Sequence, residues 1–160
     1  MIEQLQEFAG GFPEWAQGLA VALVAMIPFV ESYFGAAIGV AIGLHPVVAV
    51  GAAVVGNVAS MLIFVLGTHA TRQRVRQVRG TSDAAETPKR QRLRRMFDRF
   101  GVPGVSLLGQ TFLPSQITSA AMVGFGASKN AVILWQIVSI ALWGTLFGVL
   151  ALLGVGLLLR

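Results

Sequence analysis

Glu31 closes the stretch Ile27-Pro28-Phe29-Val30-Glu31 and is the only formally charged residue between Trp15 and Thr71. At mid-bilayer a carboxylate costs about 2.5 kcal/mol or more, so it must be paired, hydrated or protonated. Desolvation favours the neutral acid. An acid in that balance can take up and release protons near neutral pH, which is the chemistry a proton-coupling site needs. The bland role is also open: an acid in the first turn after Pro28 is favoured by the helix dipole. A second group, the polar residues Gln110, Ser115, Gln116, Thr118 and Ser119, clusters around a tip at Pro114. It is suited to binding a substrate headgroup, or to solvating the Glu31 carboxylate from the opposite side. It is equally suited to satisfying backbone groups freed by Pro114. Asn57 has the chemistry for a ligand contact or for a hydrogen bond to a neighbouring helix. Arg99, in Phe97-Asp98-Arg99-Phe100-Gly101, either attracts an anionic headgroup or snorkels. His45 and His69 are too far apart to suggest a metal site, and Trp135 and Trp143 read as packing or interface residues.

The elements that must carry these residues are strongly apolar. The chain has 160 residues, 55% hydrophobic and 12% charged, against about 25% charged in a soluble domain. Residues 15–70 and 100–159 are almost wholly apolar or small. A bilayer span needs about 20 such residues, so the expectation is one integral membrane domain over residues 1–160. Ten of the twelve Lys and Arg fall between Arg72 and Arg99, which the positive-inside rule assigns to the cytoplasm. Topology and anionic headgroups account for the basic charge, so nucleic acid is not expected as a partner. The chain starts Met-Ile-Glu-Gln with no Lys or Arg before Arg72, unlike a signal peptide. With no cysteine, disulfides and thiolate metal sites are excluded.

Residues 1–14 read as a short amphipathic surface helix, with Ile2, Leu5, Phe8, Ala9 and Phe12 on one face. Residues 15–67 form a first repeat. Gly18 to Ile27 spans about 15 Å, half of a hydrocarbon core. Pro28 to Glu31 interrupts it, and Ser32 to Leu44 returns as a second limb before the His45-Pro46 break. This predicts a re-entrant hairpin with its tip at Pro28 to Glu31, where non-helical backbone must face protein or water. Val47 to Gly67 crosses once. Residues 68–99 are a basic loop, with a turn at Gly80 to Asp83 and a helix whose N-cap is Thr87 and first residue Pro88. That helix lies on the cytoplasmic surface through Leu93, Met96, Phe97 and Phe100. Residues 100–160 repeat the plan: Val102 to Leu113, a tip at Pro114, Ala120 to Ala127, a break at Ser128 to Asn130 and a long span from Ala131 to Leu159. Superposing Pro28 on Pro114 aligns the tips. The expected fold is an all-α membrane protein, an inverted repeat of re-entrant hairpin plus transmembrane helix with a basic cytoplasmic helical loop. A rival topology makes each hairpin two full crossings.

Enzyme signatures are not found: Gly124-Phe125-Gly126 lacks the strand–turn–helix setting of a nucleotide fingerprint, and one buried acid does not make a protease pair. No cofactor is expected beyond a proton as coupling ion.

Ile27-Pro28-Phe29-Val30-Glu31, followed by Gly35, Gly39, Gly43-Leu44-His45-Pro46 and Gly56-Asn57, resembles the small multidrug export protein family. Phe97-Asp98-Arg99-Phe100-Gly101 and Phe112-Leu113-Pro114 resemble motifs of the DedA/VTT membrane proteins, and residues 18–155 take part. The resemblance implies two opposed re-entrant hairpins and a bacterial inner-membrane transporter, with Glu31 as the membrane-embedded acid. It implies proton-coupled export of a small amphipathic or lipid-like substrate; a lipid or lipid-carrier flippase or scramblase, and a non-transporting scaffold, are the alternatives. Where the DedA motif has arginines flanking its Phe-x-Pro, this chain has Thr111 and Ile117, which points away from a phosphate headgroup and towards a less polar or cationic substrate. Two spans and two hairpins make a thin scaffold, so a homodimer or higher homo-oligomer among membrane lipids is expected.

Overall fold

Ile2, Leu5 and Ala9 give the start of the chain one apolar stripe at helical spacing. The computed structural model describes residues 1–79 and 88–158, and among them the chain is all-helical, with no strand. The helices are α1 (Ile2–Gly10), α2 (Glu14–Ala25), α3 (Glu31–Ala41), α4 (Pro46–Arg79), α5 (Pro88–Gly109), α6 (Ser115–Phe125) and α7 (Lys129–Leu158). Two stretches are long and apolar enough to cross a membrane, Pro46–Thr71 in α4 and Lys129–Gly154 in α7. Only 33% and 22% of those windows is buried, so neither is the enclosed core helix of a globular protein.

Two short helices precede the long α4, and the part of α5 beyond Gly101 with the short α6 precedes the long α7; the stops between elements have local causes. Both α3 and α6 end in a Schellman motif. Leu44 N donates to Gly39 O and Gly43 N to Val40 O; Ala127 N donates to Met122 O and Gly126 N to Val123 O. Gly43 and Gly126 take φ of 93° and 112°, which only glycine adopts freely. The next long helix then starts on a capping residue. His45 Nδ1 accepts from Val47 N at 3.3 Å and His45 O from Ala49 N, so His45 serves as the N-cap of α4.

Three boundaries differ from expectation. α4 does not stop at Gly67 but runs on to Arg79, because nothing between them breaks a helix. The basic helix and the next apolar limb form one element, α5, folded at Gly101 (φ 64°, ψ −167°). The superposition of Pro28 on Pro114 does not align the helices: Glu31, three residues after Pro28, starts α3, whereas Ser115, directly after Pro114, starts α6. The expected turn at Gly80 to Asp83 and the Thr87 cap lie outside the described residues, while Pro88 does open α5.

The chain divides into two compact units, Met1–Ser60 with Val138–Arg160, and Met61–Ile137. Both divisions fall inside α4 and α7. In the first unit α1 packs on α2 and α3 through Ile2, Leu5 and Ala9. It is therefore not a free surface helix: only Phe8 and Phe12 of its expected apolar face stay exposed. Small residues bring the helices of this unit together. A Cβ on Gly39 would lie 2.7 Å from Ala49 Cβ, one on Gly148 2.6 Å from Val50 Cγ2, and one on Gly56 would overlap the Ala22 carbonyl oxygen. Such close backbone approach is a way of packing helices without a hydrophobic driving force.

In the second unit the apolar part of α5 packs on α6. The basic part is tied to the same hairpin by its arginines. The Arg92 guanidinium lies 5.4 Å from the Phe112 ring centre and that of Arg94 5.8 Å from Phe125. Phe97 stacks on Phe125 at 6.0 Å. Leu93 is buried and Phe100 exposed, so the expected surface-binding face is largely used within this unit.

Candidate functional site

The turn between α2 and α3 has an almost complete backbone account. Pro28 contributes no N–H. Ile27 N donates to Val24 O, and Val30 N and Glu31 N both donate to Ile27 O at 3.1 Å. Ser60 Oγ of α4 donates to Met26 O at 3.0 Å. Tyr33 Oη donates to Phe29 O at 3.1 Å. This closure holds two non-glycine residues at positive φ, Phe29 at 71° and Glu31 at 53°. Each costs about 1–2 kcal/mol, and such conformations persist where their surroundings enforce them, often at functional sites.

Glu31 is fully buried and is the one charged residue in the buried set of the described residues. It stands on the first turn of α3, the placement foreseen for a dipole-stabilised acid, yet the left-handed backbone there is not what a simple capping role asks for. The first unit holds further buried polar groups. Ser32 Oγ donates to Ile140 O of α7 at 2.8 Å, where Gly144 leaves room: a Cβ there would lie 3.1 Å from Ser32 Cβ. Asn57 and Ser60, three apart on one face of α4, are both buried. Tyr33 packs its ring on Phe147 of α7 at 5.4 Å. Of the residues singled out from sequence, Pro28, Glu31 and Asn57 belong to this unit. Ser32, Tyr33 and Ser60 were missed. Their signal was slight: short hydroxyl residues in apolar helices are usual, and only the fold shows which carbonyl each one reaches.

The second unit has its own polar centre, built around the turn from Gln110 to Pro114. Pro114 caps α6 with φ −56° and ψ 147°, an ordinary conformation for the residue. Ser115, Gln116, Thr118 and Ser119 follow on the first turn and are fully buried. Ser119 Oγ donates to Gln116 O at 3.0 Å and Ser115 Oγ reaches Gln116 Oε1 at 3.5 Å. Thr118 Oγ1 donates back to Ser115 O at 3.1 Å and Pro114 O at 3.2 Å. Gln136 of α7 donates through Nε2 to Thr118 Oγ1 at 3.2 Å, and Gln110 donates through Nε2 to Gln136 Oε1 at 3.5 Å. Gln136 was missed because α7 reads as a uniform apolar span. Arg99 stands outside this buried group: it is exposed and lies over the Phe100 ring at 5.1 Å.

The two centres differ in chemistry. The first can hold and release a proton on a carboxylate. The second is neutral and holds only amides and hydroxyls. Comparison of the chain with protein-family models, curated proteins and solved structures gives no match.

Proposed function

We propose that this chain is a small proton-coupled membrane transporter in which Glu31 is the coupling acid and the substrate is a small amphipathic or lipid-like molecule. One observation carries the reading: the one buried charged residue among the described residues, fully buried, stands on a backbone turn held at positive φ between two short apolar helices. A purely structural acid gains nothing from that strain, whereas an acid that changes protonation during a cycle profits from a rigid, dry seat.

The membrane setting is supported by the outer faces of the long helices. Val55, Ile63, Leu66, Leu134, Leu142 and Leu153 are all exposed, several by more than half. In water such faces would drive association; in lipid they need no cover. The reading includes an inverted-repeat scaffold of two re-entrant hairpins related to the small multidrug export and DedA/VTT proteins. Their shared motifs and the twice-used order of short, short and long helix support it. It also includes a bacterial inner membrane, with the basic segment 72–99 cytoplasmic, and assembly as a homodimer. The substrate-binding candidates are Pro28 and Asn57 in the first unit and, separately, Gln110, Pro114, Ser115, Gln116 and Thr118 in the second. Arg99, exposed beside Phe100, is assigned to lipid headgroups.

The test is proton release on substrate addition, with purified protein in liposomes, wild type beside Glu31→Gln, and a panel of amphipathic cations and lipid carriers. Loss of the signal in the variant supports coupling at Glu31. Full transport with full proton dependence in Glu31→Gln removes it. Substrate movement that needs no proton gradient in either protein replaces this reading with a flippase or scramblase.

A further inference from the structure

The hydrogen bonds of the second unit run in one direction, and that direction fixes what its last member offers. A threonine hydroxyl has a single hydrogen. In Thr118 it is committed to the backbone carbonyls of Ser115 and Pro114, at 3.1 and 3.2 Å, so towards Gln136 the hydroxyl acts as an acceptor. Gln136 therefore turns its Nε2 to Thr118, at 3.2 Å, and its Oε1 the other way. That oxygen receives Nε2 of Gln110 at 3.5 Å. With its amide nitrogen so placed, Gln110 presents its Oε1 at the open end of the chain. Gln110 is 8% exposed, and its Oε1 is buried with no hydrogen-bond donor among the described residues.

A buried carbonyl oxygen without a donor loses its hydration for nothing in return, so a buried acceptor of this kind is a place where a ligand's donor is worth most. We infer that Gln110 Oε1 is the polar anchor of a substrate site whose ligand is a hydrogen-bond donor, an amphipathic primary ammonium ion. The chain Thr118–Gln136–Gln110 sets the preference. An acceptor at its end rejects carboxylates and phosphates, which would face oxygen with oxygen. It also separates two cations of equal charge: an ammonium with N–H donors satisfies Oε1, whereas a quaternary ammonium has none to give and leaves it bare. Gln110 is the first residue after α5 and opens the turn to Pro114. Its oxygen is sealed here, so a ligand reaches it when that turn moves.

This deepens the transport reading by naming the substrate's chemistry, and it rests on that reading. Equilibrium binding separates the two, because it needs no proton gradient. The full chain is placed in phosphatidylcholine nanodiscs and titrated with dodecylammonium and with dodecyltrimethylammonium, empty discs providing the lipid background. Wild type is expected to bind the primary ammonium about tenfold more tightly or better, the value of one charge-assisted hydrogen bond. Gln110→Met, apolar and of similar length, is expected to bring the ratio to about one. Thr118→Val supplies a second reading should that variant fail to fold. It removes the acceptor that holds Gln136, both glutamine amides become free to turn over, and the ratio falls by several-fold. Glu31→Gln is expected to keep the preference even as it loses proton release. Equal affinities for the two cations in wild type overturn the proposal and leave Oε1 to a water molecule. A preference unchanged in both Gln110→Met and Thr118→Val overturns it as well.

Discussion

The turns at Pro28 and Pro114 occupy the same place in two runs of short helix, short helix, long helix, and they solve the same backbone problem in opposite ways. At Pro28 the proline sits three residues ahead of its helix, two residues take left-handed backbone, and a carboxylate is buried. At Pro114 the proline caps its helix directly, Gly126 is the only residue of α6 or its caps at positive φ, and the buried groups are neutral amides and hydroxyls. The outgoing ends match, down to the glycine that closes each short helix. The difference is thus confined to the turns. A strained seat goes with the ionisable carboxylate, and an unstrained one goes with neutral amides and hydroxyls.

Packing sharpens this contrast most. In the first unit Gly56 and Gly39 meet the backbone of a neighbouring helix, whereas Gly109 in the second meets only side-chain atoms. Gly56→Ala puts a methyl group onto the Ala22 carbonyl, which helix movement alone can relieve. We expect a loss of about 3 kcal/mol or more, read as a collapse of monodisperse protein in size-exclusion chromatography. Gly109→Ala in the second unit meets Thr118 Cγ2 at 3.3 Å, a side-chain methyl that can shift. Its effect is expected within about 1 kcal/mol of zero, since alanine also favours the helix. Equal damage from both would mean that the second unit is as tightly backed as the first.

Function divides the turns next. Glu31→Leu is expected to abolish proton release on substrate addition, because leucine has no group to titrate. Gln116→Leu in the second unit is expected to weaken substrate binding about tenfold while leaving the proton dependence of what transport remains. If the Gln116 variant lost proton dependence too, the assignment of charge to one turn and orientation to the other would fall.

How much of this could be read beforehand follows the same line. Helix positions were legible because prolines, glycines and long apolar runs act locally. Pro28, Gly43, His45-Pro46 and Pro114 mark breaks that occur where they stand. The buried acid was legible for the opposite reason, as the one charge in a long apolar stretch. The register between the two turns was not, because proline fits both a turn interior and a helix cap, and nothing local chooses between them. Gln136, Ser32 and Ser60 were illegible for a third reason. Their roles depend on which distant carbonyl or hydroxyl they meet, as Ser32 meets Ile140 across 108 residues. The apolar face of the basic helix looked like a membrane contact because the sequence does not reveal that Phe125 is there to receive it.

Strain gives a subtler comparison. Phe29→Gly removes the cost of φ 71° from a side chain that is 59% exposed. We expect a gain of about 1 kcal/mol, seen as a higher apparent melting temperature in detergent. Phe112→Gly at the other turn has no such strain to relieve and loses the ring under Arg92. It should lower stability by about 0.5–1 kcal/mol. A loss at both positions would show that Phe29 contributes more by packing than it costs in backbone energy.

The smallest effect tests what holds the strained turn in place. Tyr33→Phe keeps the ring against Phe147 and deletes only the hydroxyl that donates to Phe29 O. In wild type the expected loss is about 1 kcal/mol, that of a single neutral hydrogen bond. If the bond serves to pin a backbone that would otherwise relax, its value depends on the strain it opposes. In a Phe29→Gly background, where positive φ is free, the same substitution should cost only a few tenths of that. The difference between the two backgrounds is the coupling energy of a double-mutant cycle. A cost that is the same in both would reduce the Tyr33 hydroxyl to a partner for one carbonyl. A cost that shrinks with the strain would make Tyr33 the latch that keeps the Glu31 turn in its left-handed form.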